Sequence, residues 1–184
     1  MTNFCEQRTG CPQDESGGGR QRGFTLIEAL TVVAILTFLS AMAIPSMTAM
    51  VRNGKLRGAG SDFFGDLLMA RSEAVKQNCK VQVVQATSGT WTGGWSVTST
   101  AACSAGAVVL AKHPALASDI LVTLAPSAAT NVTYGSNGRV SNGLQTVTFY
   151  ENVSGTQARC VGVDASGVPR VTVDTDGNAA NGCN

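Results

Sequence analysis

The sequence contains an apolar run, Phe24–Ile44, that carries one acid near its start, Glu28. Its other side chains are apolar, small, or hydroxyls that can bond back to their own helix. A helix of this length rises roughly 31 Å, about the thickness of a bilayer's hydrocarbon core. A carboxylate at such a depth costs roughly 2.5–3.5 kcal/mol on insertion scales, so Glu28 predicts a function that depends on a partner.

The run has a predicted orientation. Arg20 and Arg22 precede it, and no basic residue follows until Arg52. The positive-inside rule therefore keeps the N-terminus in the cytoplasm and sends the rest of the chain outward. A secretory signal peptide cleaved after "SAMA" and a plain signal anchor are the alternatives, although a plain anchor gives no reason for Glu28. The length of the run disfavours a buried core helix.

The start of the run resembles a known signal. "GFTLIE" follows a polar leader with basic residues, and Pro45 follows the apolar helix. This arrangement resembles the class III signal of type IV pilins and type II secretion pseudopilins. The resemblance implies that prepilin peptidase cuts between Gly23 and Phe24 and that the new amine is methylated. It divides this part of the chain into a cytoplasmic leader, residues 1–23, and a transmembrane and assembly helix, residues 24–45.

Cleavage at this position would also create a partner for Glu28. It leaves a cationic amine on Phe24, four residues from the carboxylate, at the end of an apolar helix. In a bundle of such helices, Glu28 of one subunit can neutralise the amine of a neighbour and relieve a cost that each charge bears alone. We therefore expect Glu28 to set the axial register of a filament, and Pro45 to kink the same assembly helix.

Residues 46–78 predict an amphipathic stem helix. Apolar residues recur there at spacings of three and four. The main stripe is Leu56, Phe63, Leu67 and Ala74, with Phe64, Leu68 and Val75 beside it. The stem contains three glycines, Gly54, Gly58 and Gly60. They either loosen the helix or allow close packing against other subunits' helices. The stem also contains three basic residues, Arg52, Lys55 and Arg57. We interpret them as a solvated or headgroup-facing patch.

Residues 79–184 predict an antiparallel β domain outside the cytoplasm. Short β-branched runs alternate there with Gly, Asn, Ser and Asp turns. The runs are "KVQVVQA", "GWSVTST", "AVVLA", "ILVTLA", "NVTYG", "GRVSN", "QTVTFY", "ARCVGVD" and "PRVTVD". Trp91 and Trp95 flank a predicted Gly-Gly turn and are expected to cap the apolar core. A carbohydrate- or base-stacking role for them is the alternative.

A looser resemblance covers most of the chain after the signal. "ARSEAVKQNCKVQVV", "WTGGWSV" and "YGSNGRV" are similar to segments of the minor pilins and pseudopilins of the FimT, FimU and GspH group. The resemblance implies an α+β fold, in which a long N-terminal helix packs on a C-terminal antiparallel domain of two small sheets. It also implies a single-pass protein of the bacterial inner membrane, with a periplasmic domain, that joins a pilus or pseudopilus.

Four cysteines follow the apolar run and predict two disulfides in an oxidising compartment. They are Cys79, Cys103, Cys160 and Cys183. The sequence allows three connectivities, of which we favour the near-neighbour pairs Cys79–Cys103 and Cys160–Cys183, each worth on the order of 3 kcal/mol. A zinc site is disfavoured, because there is no Cys-x-x-Cys and the sole histidine, His113, has no ligand motif around it.

Three functions are compatible with these features. The first is a structural subunit, a FimT- or FimU-like minor pilin that aids pilus assembly or initiation. The second is a GspH-type pseudopilin of a type II secretion system. In both, the expected partners are prepilin peptidase, other pilins or pseudopilins and the inner membrane.

The third function is DNA binding, which relatives of the FimT type are implicated in through a Gly-Arg-x-Arg stretch. The matching place here has Gly167, Val168, Pro169 and Arg170, so only the second arginine is retained. Arg159 and Arg170 could meet on one face of adjacent strands. The basic residues of the domain are matched by as many acidic ones, which predicts weak, salt-sensitive binding at most.

Neither catalysis nor a bound metal is predicted. A serine triad or Cys–His pair needs a base beside its nucleophile, and His113 has no such motif around it. In "DTDGN", Asp174, Asp176 and Asn178 alternate oxygen ligands as calcium loops do, but the distal glutamate is lacking. A polar turn is the favoured interpretation. We therefore expect a protein that is not an enzyme and that carries no cofactor.

Overall fold

A computed structural model describes residues 23–87, 89–100, 103, 106–125, 129–142, 145–176, 178 and 183, without the side chains of residues 42–46 and 145. The predicted leader lies outside this range except for Gly23, and so does the side chain of Pro45. The chain divides into two compact units, residues 1–42 and residues 43–184. Each unit is described by itself.

The only helix among the described residues, α1, runs over Leu26–Lys76. The backbone amide of Glu28 donates to Thr25 Oγ1 at 3.3 Å, which caps the first turn. At the other end, Asn78 has a left-handed φ of 51°. The amides of Asn78 and Cys79 donate back to the carbonyls of Val75 and Ala74 at 3.2 and 3.1 Å. This bonding pattern is a Schellman motif, and it stops the helix just before the β domain.

In the first unit, every described side chain from residue 23 to residue 41 is exposed. Three hydroxyls donate to carbonyls of their own helix, as the sequence predicts, and they belong to Thr31, Thr37 and Ser40. Of the residues that the structure describes, no helical stretch is long and apolar enough to cross a membrane. The span at residues 24–45 stays a prediction.

The described residues form eight strands in two four-stranded antiparallel sheets. The strands are β1 (Val81–Thr87), β2 (Thr90–Ser99), β3 (Val109–His113), β4 (Leu121–Ala125), β5 (Asn131–Tyr134), β6 (Gln145–Tyr150), β7 (Arg159–Val163) and β8 (Pro169–Val173). The first sheet has the order β3-β2-β1-β5, and the second has the order β4-β6-β7-β8. The α+β class and the two small sheets implied by the family resemblance are therefore confirmed.

The core of the second unit is organised around Phe63 of α1. Its ring meets Trp91 and Trp95 edge-on, at centroid distances of 5.4 and 5.1 Å, and Phe149 at 5.8 Å. The tryptophans belong to the first sheet and Phe149 to the second, so one helical side chain joins both sheets. Such aromatic pairs contribute about 0.5–1.5 kcal/mol each beyond the area they bury.

The predicted apolar stripe of the stem is confirmed along its main row. That row is almost completely buried, and its members are Leu56, Phe63, Leu67 and Ala74. The neighbouring row is buried only in part. Phe64 packs against the core, whereas Leu68 and Val75 are 42% and 53% exposed. The buried face of the helix is therefore narrower than the sequence suggests.

Two turn and strand predictions are wrong. Gly93 and Gly94 lie inside β2 rather than in a turn. Gly94 has a φ of 90°, and a Cβ there would come within 2.4 Å of the His113 carbonyl oxygen, so the glycine allows β3 to pair closely. The predicted strand "GRVSN" forms only one isolated bridge, between Tyr134 and Val140.

Both favoured disulfides are present. Cys79 and Cys103 are bonded with Cα atoms 5.3 Å apart, and Cys160 and Cys183 with Cα atoms 5.9 Å apart. The first joins the end of α1 to the segment between β2 and β3. The second joins β7 to the C-terminal segment.

Candidate functional site

The predicted processing and assembly residues lie at the start of α1. Apart from Gly23 itself and its chain neighbours, no atom of the described residues lies within 4 Å of the position that a Cβ on Gly23 would take. Phe24 is 82% exposed, and the side chain of Glu28 is also exposed. The structure therefore leaves both Phe24 and the Glu28 carboxylate open to partners.

Thr25 is a residue of this site that sequence reasoning overlooked. Its hydroxyl caps α1 through the backbone amide of Glu28. The Thr-x-x-Glu spacing before an apolar run is a known capping-box signal, and an acid in the first turn also suits the helix dipole. Glu28 thus has a local reason to stand at this position, in addition to the predicted intermolecular one.

Two of the three stem cations form ion pairs with the β domain that the sequence did not predict, although Lys55 is exposed, as expected of a solvated patch. The Arg52 guanidinium lies 3.5 Å from the carboxylate of Glu151, whose side chain is almost completely buried. The Lys55 ammonium lies 2.7 Å from the Asp119 carboxylate. Its hydrogen bond lowers the pKa of Asp119. The side chain of Arg57 is exposed, as predicted.

Asn53, between these two cations, binds the β6–β7 loop directly. Its side-chain amide donates to the Gly155 carbonyl at 3.2 Å, and its side-chain oxygen accepts from the Gln157 backbone amide at 2.8 Å. These partners are more than 100 positions away in the chain. No local pattern in the sequence could have indicated them.

The stem glycines divide into two kinds. Gly60 packs against the second sheet, where a Cβ would come within 3.3 Å of Arg159 Cβ. At Gly54, Gly58 and Gly65, no described atom outside the neighbouring helix backbone lies within 4 Å of the position that a Cβ would take. These glycines therefore leave bare helix backbone on the outside of the unit. Such a surface permits the close approach of another helix.

The two candidate DNA contacts do not meet. Arg159 pairs with Val173, and Arg170 pairs with Gly162. Because side chains alternate between the faces of a sheet, this register puts the two arginines on opposite faces, and the expectation of a shared face is wrong. Arg170 instead lies 3.8 Å from Asp164. The pKa of Asp164 is lowered chiefly by a hydrogen bond from Ser166, with a smaller contribution from Arg170.

His113 is partly buried and packs between the first sheet and α1. Its ring stacks on Trp95 with centroids 4.0 Å apart and planes 8° apart. Its Nδ1 contacts the Pro114 carbonyl at 2.9 Å, and its Nε2 lies 3.2 Å from Asp62 of α1. Trp95 Nε1 donates to Asp66, also on α1, at 2.6 Å. The cluster fastens the first sheet to the helix.

The "DTDGN" segment forms a local turn around Asp176. Asp176 Oδ1 accepts a hydrogen bond from the Asn178 backbone amide at 2.8 Å, as in an Asx turn. Asp174 is 2% exposed and faces inward. Within the described ranges, no three His, Cys, Asp or Glu side chains come together in a group that could hold a metal ion by themselves.

Comparison with known families identifies both parts of the chain. The model of the family described as "Type II transport protein GspH" matches residues 59–167. The model of the prokaryotic N-terminal methylation motif matches residues 18–44, around the predicted processing site. No curated protein sequence matches this one.

Solved structures support the same fold. The crystal structure of the type IV minor pilin FimU of Pseudomonas aeruginosa is 22% identical, covers 71% of this chain and 96% of that chain, and gives a TM-score of 0.57. The structure of the minor pseudopilin EpsH from the type II secretion system of Vibrio cholerae is 14% identical. It covers 67% of this chain and 99% of that chain, with a TM-score of 0.51. At these identities, both likenesses show the fold alone.

The GspH model matches more than half of the 184 residues, and the methylation motif matches the segment before it. The two sheets and the stem match the solved pilin and pseudopilin structures. The chain therefore belongs to the GspH family, and it is a minor pilin or pseudopilin of a type IV pilus or a type II secretion system.

Proposed function

We propose that this chain is a FimT- or FimU-like minor type IV pilin that aids the assembly or initiation of a pilus. Residues 24–45 insert it in the bacterial inner membrane, with the N-terminus cytoplasmic and the β domain periplasmic. Prepilin peptidase cuts between Gly23 and Phe24, and the new amine is methylated. The mature chain then joins other pilins through its N-terminal helix.

One observation carries this proposal. The described side chains of residues 23–41 are all exposed, although most of them are apolar. Leu26, Leu36 and Phe38, for example, are 79%, 56% and 67% exposed. A soluble monomer rarely exposes so much contiguous apolar surface, which marks contact with protein or lipid. A pilin helix meets both in turn, first the bilayer and then its neighbours in the filament.

The outer face of the stem supports assembly through the same helix. Gly54, Gly58 and Gly65 leave open backbone there, and Met47 and Met50 beside them are 70% and 77% exposed. Small residues allow helices to approach closely, and exposed methionines add adaptable apolar surface. Binding of DNA has no comparable support, because the sheet register separates Arg159 from Arg170.

Processing is tested by the intact mass of the protein from membranes of cells with and without prepilin peptidase. We expect the mature mass to lack residues 1–23 and to include one added methyl group, and only in cells that contain the peptidase. The same mass in both strains would contradict the proposal. Gly23→Val tests the site itself and should leave the precursor uncut.

The choice between the two machines is tested by deleting the gene in a strain that has both. For a minor pilin, the amount of sheared surface pili should fall while secretion through the type II system continues, and the wild-type gene should restore the pili. Normal piliation with lost secretion would show instead a GspH-type pseudopilin. Normal performance of both machines would contradict both functions.

A further inference from the structure

We propose that a cavity between the β6–β7 loop and the C-terminal segment binds a hard divalent cation, Ca²⁺. The cavity has a volume of about 570 Å³ and belongs wholly to the second unit. Its walls come from the end of β6, from the loop after it and from the segment that follows β8. The lining residues used below are Glu151, Asp174 and Asn178.

Two buried carboxylates line this cavity. Glu151 is 6% exposed and Asp174 is 2% exposed. Both side-chain oxygens of Glu151 and the Oδ1 atom of Asp174 are buried, and they have no hydrogen-bond partner among the described residues. Buried polar atoms in proteins are almost always satisfied, and a buried charge without a partner is strongly unfavourable. These oxygens therefore indicate a ligand.

The protein supplies only part of the neutralising charge. Arg52 lies 3.5 Å from Glu151 Oε2, which is longer than a good hydrogen bond, and its side chain is 39% exposed. No salt bridge to Asp174 is present among the described residues. The site thus holds two carboxylates against one partly solvated guanidinium. One divalent cation carries the charge that neutralises the two carboxylates.

The lining favours calcium over other metals. Apart from apolar groups, it offers carboxylate, amide, hydroxyl and backbone oxygens, and it contains neither histidine nor cysteine. Hard cations prefer such oxygens, whereas zinc and copper prefer imidazole and thiolate. Magnesium demands near-ideal octahedral geometry, while calcium accepts six to eight ligands in irregular arrangements. Ligands that come from a loop and a terminal segment suit calcium better.

The proposed site differs from the one that the "DTDGN" pattern suggested. Asp176 is occupied by its own turn, since it accepts a hydrogen bond from the Asn178 backbone amide. Instead of Asp176, the proposed site uses Glu151, which lies on a loop that is distant in sequence from this pattern. The "DTDGN" pattern has no glutamate after its turn. The fold instead brings in Glu151, which precedes the pattern in the sequence.

Binding there would tie three parts of the domain together. Asp174 directly follows β8, close in sequence to the Cys160–Cys183 disulfide, and Glu151 begins the loop that Asn53 holds against the stem. Calcium would therefore stabilise the β6–β7 loop and the C-terminal segment on the stem. The proposal does not depend on whether the protein serves a pilus or a pseudopilus.

The test is thermal unfolding of the full chain in detergent, with EGTA, with 5 mM CaCl₂ or with 5 mM MgCl₂ at constant ionic strength. For a site of the weak extracellular class, calcium should raise Tm by about 3–8 °C, and magnesium should raise it by less than half of that. Calorimetric titration with CaCl₂ should give one site per chain.

Glu151→Gln and Asp174→Asn should each abolish the calcium-dependent rise in Tm, because each removes one of the two carboxylates of the site. Asp174→Asn should not lower Tm in EGTA, since no salt bridge to Asp174 is present among the described residues, whereas Glu151→Gln also removes the partner of Arg52. Asp119→Asn, which removes a surface carboxylate outside the cavity, should keep the full rise. Equal Tm of the wild type in EGTA and CaCl₂, with no heat of binding, would overturn the proposal. A calcium response retained in both cavity variants would overturn it as well. If a variant fails to fold, the wild-type titration decides alone.

Discussion

Both parts of helix α1 carry large apolar side chains, but the two parts differ in how these side chains are buried. Before residue 42, every described side chain is exposed. Between residues 43 and 76, one face is buried, and Leu56 and Phe63 are at most 1% exposed. The difference separates two uses of apolar surface. The later part stabilises the fold of its own chain, whereas the earlier part remains available to lipid and to other subunits.

This contrast predicts that substitutions in the two parts have opposite consequences. Those after residue 43 should lower the free energy of unfolding and affect assembly only through folding. Those before residue 42 should leave folding intact and impair assembly.

The largest effect is expected at the centre of the core. Phe63→Ala should reduce the free energy of unfolding by about 3–5 kcal/mol, because it leaves a cavity among Trp91, Trp95 and Phe149. Leu36→Ala, on the exposed part, should change it by less than about 0.5 kcal/mol. Denaturant unfolding followed by tryptophan fluorescence measures both. Equal effects of the two substitutions would abolish the division.

The disulfides should follow closely. Loss of either Cys79–Cys103 or Cys160–Cys183, by paired Cys→Ser substitutions, should destabilise the β domain by about 3 kcal/mol, because each closes a loop of about 24 residues. Urea unfolding of the two variants, compared with the oxidised wild type, measures the loss. Unchanged stability in both would show that the bridges do not constrain the unfolded chain.

The contact between Trp95 and Asp66 should have an intermediate effect. Asp66→Ala leaves the indole N–H of a fully buried side chain without its acceptor, which should cost about 1.5–3 kcal/mol. Asp66→Asn keeps an acceptor and should cost clearly less. The comparison uses the same unfolding assay. An alanine variant as stable as the asparagine variant would mean that this hydrogen bond contributes little.

The smallest effect is expected from the surface pair Lys55–Asp119. The pKa of Asp119 is lowered, chiefly by the hydrogen bond from Lys55, so the pair stabilises the fold above the unfolded pKa of about 3.9 and loses this contribution as the pH falls below it. Lys55→Gln should therefore flatten the dependence of Tm on pH in the acidic range. Arg57→Gln is the control and should not. Parallel curves for the wild type and Lys55→Gln would refute the assignment.

Local patterns were sufficient for much of the fold. The spacing of Leu56, Phe63 and Leu67 predicts the buried face, because a helix repeats every three to four residues. Short alternating runs predict most strands in the same way. The capping role of Thr25 was also readable from the Thr-x-x-Glu spacing, although it was overlooked.

The features that the sequence did not predict depend on strand register and on contacts between residues that are far apart in the chain. The faces occupied by Arg159 and Arg170 follow from the pairing of β7 with β8, which composition does not reveal. The partners of Arg52 and Asn53 are on a loop about 100 residues away. Gly94 was predicted to lie in a turn. It lies within a strand, and only the close approach of β3 shows why a glycine is required there.

The role of Glu28 in assembly is tested by comparing Glu28→Gln with Glu28→Asp for incorporation into sheared filaments and for Tm. If Glu28 neutralises the amine of a neighbouring subunit, the glutamine variant should be cut and fold normally, with an unchanged Tm. Its incorporation should fall by at least about tenfold, whereas the aspartate variant should retain more. Normal incorporation of Glu28→Gln would contradict the claim that this exposed part of the helix assembles through its one acid.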